Sequence, residues 1–133
     1  MMLRYLLVLL LTVTALSWPP EPVAALEGRE LKPLMWGWER HFAVEYEPGV
    51  YRGQPVVEGT VTNVSPYSVI SVRLLVDSLD ANGQLIAQKV AYLPGDMPGG
   101  SHLFFQVPTA PAPAYRVRVF SYDRFESQGG NLR

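Results

Sequence analysis

The sequence predicts an all-β domain built as an antiparallel sandwich of six to seven strands and preceded by an N-terminal signal helix. Apolar residues alternate with polar ones in short runs, which is the period of a half-buried strand. Turn signals drawn from 12 prolines and 11 glycines separate these runs, at a spacing of about ten residues. No long helical pattern lies between the runs, so the strands should pair antiparallel. These features together favour an immunoglobulin-like β-sandwich.

Residues 1–17 have the order of a secretory signal peptide. One basic residue, Arg4, precedes an apolar run that starts at residue 5, and small residues precede a cleavage site after Ser17. A second candidate cleavage site follows Ala25. The alternative is an uncleaved membrane anchor over residues 5–17, although a membrane span needs about 20 apolar residues. We therefore expect an exported protein, periplasmic or secreted, that contacts the membrane only if its N-terminal segment is uncleaved.

The rest of the chain divides into three parts. Residues 18–40 are predicted to be an extended or short-helical leader, residues 41–123 the β-sandwich domain, and residues 124–133 a flexible tail. The predicted strands are His41–Tyr46, Val56–Asn63, the run containing Ile70, Val72, Leu74 and Val76, then Leu85–Tyr92, His102–Val107 and Tyr115–Asp123. Predicted turns include Glu47–Gly49, Asp80–Gly83, Leu93–Gly95 and Pro98–Gly100.

Composition excludes several classes of function. The formal net charge is −1, which argues against nucleic acid as a partner, because phosphate binding needs a strong positive balance. The chain has no cysteine, so it has no thiol nucleophile, zinc–thiolate site, iron–sulfur ligand or lipid-accepting cysteine. We expect no cofactor.

No residue pattern predicts an enzyme. Ser101 beside His102 lies at a strand entrance and not in a nucleophile elbow. The segment Asp77–Gly83 gathers oxygen ligands but lacks the acidic residue that closes a calcium loop. A copper site at Met97 and His102 would need a denser pattern of soft ligands. The prediction is therefore no catalytic and no metal-binding residues.

Two tryptophans are the binding candidates. Trp36 and Trp38 form the most conspicuous local cluster, and tryptophan is enriched in interface hot spots. The alternative interpretation is that this segment covers an edge or an end of the sandwich. Arg73, Arg116 and Arg118 point outward on predicted strands and form either a small basic patch or an ordinary solvated face.

From Val56 to Val119 the chain resembles the FxLYD-type domain, an immunoglobulin-like module of bacterial and archaeal envelope proteins. The resemblance is carried by Val57–Asn63, Leu79–Gly83, Met97–Gly100 with Phe104 and Phe105, and Tyr115–Val119. Leu79 stands where the family name leads one to expect tyrosine. The resemblance implies a binding or accessory domain whose partner is another envelope protein.

The motif residues also have physical roles without any family. Gly59, on an inward face, would admit a bulky side chain from the facing sheet or mark a bulge. Asn63 would bond nearby backbone, and Asp80 would accept N–H bonds across its own hairpin. The predicted function is an exported, non-catalytic binding or accessory module of the cell envelope. The alternatives are a membrane-anchored structural subunit held by an uncleaved N-terminal helix and, more remotely, a metal-binding or hydrolytic protein.

Overall fold

The computed structural model describes residues 29–125. The predicted signal peptide or anchor and most of the predicted tail lie outside these residues. The chain enters through a short 3-10 turn, Trp38–Arg40, and continues as six strands: β1 (Phe42–Tyr51), β2 (Gln54–Asn63), β3 (Ser68–Leu79), β4 (Leu85–Met97), β5 (His102–Pro108) and β6 (Ala114–Phe125). Within residues 29–125 no helix has the length and apolar character required to cross a membrane.

The six strands form two antiparallel sheets of three strands each. Sheet A has the order β1-β2-β5, and sheet B has the order β4-β3-β6. Their inner faces share one apolar cluster, to which sheet A gives Val57, Val61 and Phe105 and sheet B gives Val72, Leu74 and Val119. The prediction of an all-β, sandwich-like chain is therefore confirmed for the described residues.

Two predicted turns are wrong, because their residues lie inside strands. Glu47–Gly49 continues β1, and Pro94 lies in the middle of β4. Both strands lie at the edge of a sheet. A proline in an edge strand can direct its nitrogen, which carries no hydrogen, to the open side, so no interstrand hydrogen bond is lost. The chain reverses instead at Arg52 and Gly53, whose φ angles of 52° and 78° suit a tight hairpin turn with two left-handed residues.

β3 carries a bulge that shifts the predicted apolar face. Ser71 has a φ of 54°, and the pairing of β3 with both neighbours changes register between Ile70 and the residues that follow. An extra residue in a strand turns the side chains beyond it to the other face. Val72 is fully buried in the core as predicted, but Val69 joins the core where Ile70 was expected.

The motif glycine has a different role from the predicted one. At Gly59 an added Cβ would overlap the carbonyl oxygen of Glu45 and lie 2.7 Å from the Cα of Tyr46. The glycine therefore permits a close approach of the β1 backbone, and it does not make room for a side chain of the facing sheet. No other residue type fits between these strands without moving one of them.

Asn63 and Asp80 hold turns, as predicted. The Asn63 Nδ2 atom donates to the carbonyl oxygens of Tyr67 at 2.7 Å and Met97 at 2.9 Å, and its Oδ1 accepts from the amide and hydroxyl of Ser65. The Asp80 Oδ1 atom accepts from the amides at positions 82 and 84, at 2.8 and 2.9 Å.

Candidate functional site

The leader segment 29–37 lies across the outer face of sheet B. Leu31 exchanges two hydrogen bonds with the side chain of Gln88 on β4: its amide donates to Oε1 at 2.8 Å, and its carbonyl accepts from Nε2 at 3.0 Å. Further along, the Leu34 amide donates to the carbonyl of Phe120 at 2.8 Å, on the open edge of β6. The leader therefore packs on the sandwich, crossing from one edge strand of sheet B to the other.

A buried carboxylate lies beneath this crossing. Asp77 is on the outer face of β3, yet its side chain is fully buried. Its Oδ2 accepts from Arg116 at 2.7 Å and Arg118 at 2.7 Å, and its Oδ1 accepts from Gln88 at 2.9 Å. Because Gln88 also holds Leu31, one glutamine links the carboxylate to the leader. Leu75, which interrupts the alternation of β3 with an apolar residue on this same outer face, is also fully buried.

The three arginines do not form a free basic patch. Arg116 and Arg118 are neighbours on β6, and both are bound to Asp77. Arg73 lies elsewhere on the same face, with its guanidinium 5.7 Å from the ring centre of Tyr92 and its Nη1 3.4 Å from the hydroxyl of Ser121. The outer face of sheet B is therefore an organised set of ion pairs and stacking contacts.

The structure gives the two tryptophans different roles. Trp38 starts the 3-10 turn and packs, partly buried, against the core. For this residue the alternative interpretation, that the segment covers part of the sandwich, agrees with the structure. Trp36 is 94% exposed. Gly37 lies between them in the left-handed conformation, with a φ of 78°. This turn in the backbone separates the Trp38 ring, which packs on the core, from the Trp36 ring, which projects into solvent.

We call the surroundings of Trp36 the leader surface. It is an open groove with a volume of ≈ 530 Å³. Aromatic and apolar side chains form its walls, and basic side chains outnumber acidic ones around it. Its lining residues are Lys32, Pro33, Met35, Trp36, Gly37, Trp38, Glu39, Arg40 and Arg118.

A second exposed surface lies on the opposite side of the sandwich, on the outer face of sheet A. We call it the acidic face: an open depression of ≈ 370 Å³ lined by Glu45, Tyr46, Glu47, Glu58, Gly59, Thr60 and Phe104. Phe104 is 65% exposed. Sequence reasoning missed this surface, although the alternation that turns Leu103, Phe105 and Val107 inward already directs Phe104 outward.

The residues considered for chemistry serve local structure. In the segment Asp77–Gly83, Asp77 and Asp80 bind different partners, so their carboxylates do not converge. Met97 is fully buried in the core, and the Ser101 hydroxyl donates to the carbonyl of Pro98 at 2.7 Å. Among residues 29–125 no three histidine, aspartate or glutamate side chains gather where they could share a metal ion.

The chain has little detectable similarity to known proteins. No protein-family model matches the chain, and no curated protein is similar to it. The X-ray structure of Northeast Structural Genomics Consortium target SoR45 is similar over 68% of this chain and 86% of that chain, with 13% sequence identity and a TM-score of 0.34.

Proposed function

We propose that this chain is an exported, non-catalytic binding module of the cell envelope and that it holds a protein partner through the leader surface. The observation that carries the proposal is the 94% exposure of Trp36. An indole ring is among the largest apolar groups that a chain can leave in water, and tryptophan dominates the energetics of many protein interfaces. Nothing in the packing of the sandwich requires this ring, because Trp38 makes the contact with the core.

The construction of the leader supports a binding role. The Gln88 side chain, itself held by Asp77, binds the backbone of Leu31, and the Phe120 carbonyl accepts from the amide of Leu34. Trp36 therefore follows a segment that is already held in place. A pre-positioned side chain loses less conformational freedom on binding than one on a free loop. The exposed aromatic group is therefore suited to act as an anchor.

The strand order supports an immunoglobulin-like assignment within the proposal. In that fold strands A, B and E share one sheet and strands C and F share the other, to which the variable type adds strand C′. Sheets β1-β2-β5 and β4-β3-β6 follow this order. The same order agrees with the resemblance to FxLYD-type domains of envelope proteins, which implies another envelope protein as the partner.

The test is crosslinking in the native envelope with the full-length chain. Trp36→Ala is compared with wild type and with Tyr92→Ala, which removes another exposed aromatic ring that lines neither the leader surface nor the acidic face. Trp38→Ala is unsuitable, because Trp38 packs on the core and its loss would affect folding.

We expect a crosslinked partner that is lost with Trp36→Ala and kept with Tyr92→Ala. N-terminal sequencing of the mature protein should find residue 18 or 26 first if the signal is cleaved, and residue 1 if it is an anchor. Recovery of the same crosslinked proteins from Trp36→Ala and wild type would contradict a binding role for the leader surface.

A further inference from the structure

Trp36 and Phe104 are the two most exposed tryptophan, tyrosine or phenylalanine side chains of residues 29–125, at 94% and 65%. Single exposed apolar residues are common on protein surfaces. These two differ because each borders a depression: Trp36 borders the leader surface, and Phe104 borders the acidic face. Each surface therefore combines an exposed ring with room for a second one.

The two surfaces carry opposite charge. Among the residues that line the leader surface, Lys32 and Arg40 stand against a single acidic residue, Glu39. The third basic residue, Arg118, is already paired with Asp77 and adds little free charge. Lys32 is only loosely engaged, since its Nζ is 3.9 Å from an exposed Glu30, and such a pair contributes little. Opposite potentials on facing surfaces speed encounter and set the orientation of a complex.

The acidic face is the charge complement of the leader surface. Its lining includes Glu45, Glu47 and Glu58 and no basic residue. Glu47 and Glu58 are directly paired across β1 and β2, so like charges are held side by side. Like charges opposite each other are unfavourable in a sheet, and basic side chains placed between them relieve that repulsion.

We propose that the leader surface of one copy of this chain binds the acidic face of a second copy, with Trp36 against Phe104 and the basic residues against the glutamates. The inference rests on the proposed function, because it names the partner of the leader surface. The two surfaces lie on opposite sides of the sandwich, so the contact runs head to tail. A pair joined in this way still has one free surface on each copy, so further copies can add to form an open chain, or a ring where the rotation closes.

The test is sedimentation of protein purified from cells that express the full 133-residue chain, with the N-terminus that the cell produces. Trp36→Ala removes the ring but keeps the acidic face. The double variant Glu45→Lys, Glu47→Lys removes the acidic face but keeps the leader surface. The double variant Asp96→Lys, Asp123→Lys is the matched control: it makes the same change of charge at two exposed residues that both pair with Ile70, away from either surface.

Wild type and the matched control are expected to form species larger than a dimer as concentration rises, and salt should weaken them because exposed charges are screened. Trp36→Ala and the Glu45, Glu47 variant should each associate at least about tenfold more weakly. A mixture of these two variants should form a 1:1 dimer that does not grow, since only one functional contact remains.

Two results would overturn the proposal: a wild type that stays monomeric up to about 1 mM, where even weak contacts are populated, or association that both variants retain. Neither result touches the proposed function, which fails only if Trp36→Ala keeps its crosslinked envelope partner. If the wild type is monomeric and Trp36→Ala loses its crosslink to a different protein, the chain is still a binding module, but its partner is not a second copy of itself.

Discussion

Replacing Asn63 with alanine removes a fully buried side chain whose two amide hydrogens and carbonyl oxygen are all engaged. Four hydrogen bonds of 2.7 to 2.9 Å join this side chain to Tyr67, Met97 and Ser65. They connect the end of β2 to the turn before β3 and to the end of β4. Asn63 thus ties both sheets together at one end of the sandwich, and its loss should reduce the stability of the whole domain.

The magnitude follows from which partners can compensate. In the Asn63→Ala variant, the Ser65 hydroxyl retains its own contacts with the carbonyl and amide of Tyr67, at 3.3 and 3.2 Å. The Ser65 amide and the Met97 carbonyl lose the group that they face. A buried polar group left without its partner costs about 1–3 kcal/mol, so we expect a loss of about 2–6 kcal/mol.

Urea denaturation at pH 7, followed by circular dichroism, measures this loss, and a thermal scan should show Tm lower by at least about 8 °C. Asn82→Ala is the control, because Asn82 is exposed in the β3–β4 turn, and a change of less than about 0.5 kcal/mol is expected. A loss below about 1 kcal/mol for Asn63→Ala would refute the reasoning that this side chain joins the two sheets.

Asn63→Asp tests the direction of the same bonds. It places a carboxylate oxygen against the Tyr67 and Met97 carbonyls, where Asn63 Nδ2 donates. Burial and these facing oxygens should raise the pKa of the introduced carboxyl group above its ordinary value of about 3.9. The variant should therefore be least destabilised below about pH 4, and it should lose stability as pH rises through the raised pKa.

Further predictions concern the strands and the leader. Gly59→Ala brings a Cβ onto the β1 backbone and should cost more than about 4 kcal/mol in urea denaturation. Asp77→Asn weakens the bonds to two arginines that are partly solvated and should cost about 2–3 kcal/mol by the same assay. In thermal denaturation Trp38→Ala should lose about 2–3 kcal/mol, whereas Trp36→Ala should change stability by less than about 0.5 kcal/mol. Gln88→Ala should accelerate hydrogen exchange in the leader and leave the core strands protected.

Much of the strand pattern can be predicted from the sequence. Period-two alternation identifies five of the six strands. The alternation of β4 is weak, and the Asn82-Gly83 turn identifies this strand as the second half of the β3–β4 hairpin. The two wrong turns arise at Pro48 and Pro94, because a proline signals a turn only if its strand has neighbours on both sides. Whether a strand is an edge depends on the sheet order, which local sequence does not contain.

The candidate site is harder to predict for a related reason. Alternation indicates that Asp77 faces away from the core, but it cannot show that a distant segment covers that face. The burial of Asp77 depends on Leu31, which is 46 positions earlier in the chain and reaches it through Gln88. Trp36 and Trp38 have the same residue type and nearly the same position, and only the turn at Gly37 separates their roles.

The attachment of the leader also determines how the domain would respond to mechanical load. A pull on the chain at Arg29 reaches the Leu31–Gln88 bonds first and the Leu34–Phe120 bond next. These contacts are few and would break one after another, whereas the paired strands of the sandwich resist together. The leader can therefore lengthen under tension before the sheets yield, and its detachment would release Gln88 beside Asp77 while the folded core remains intact.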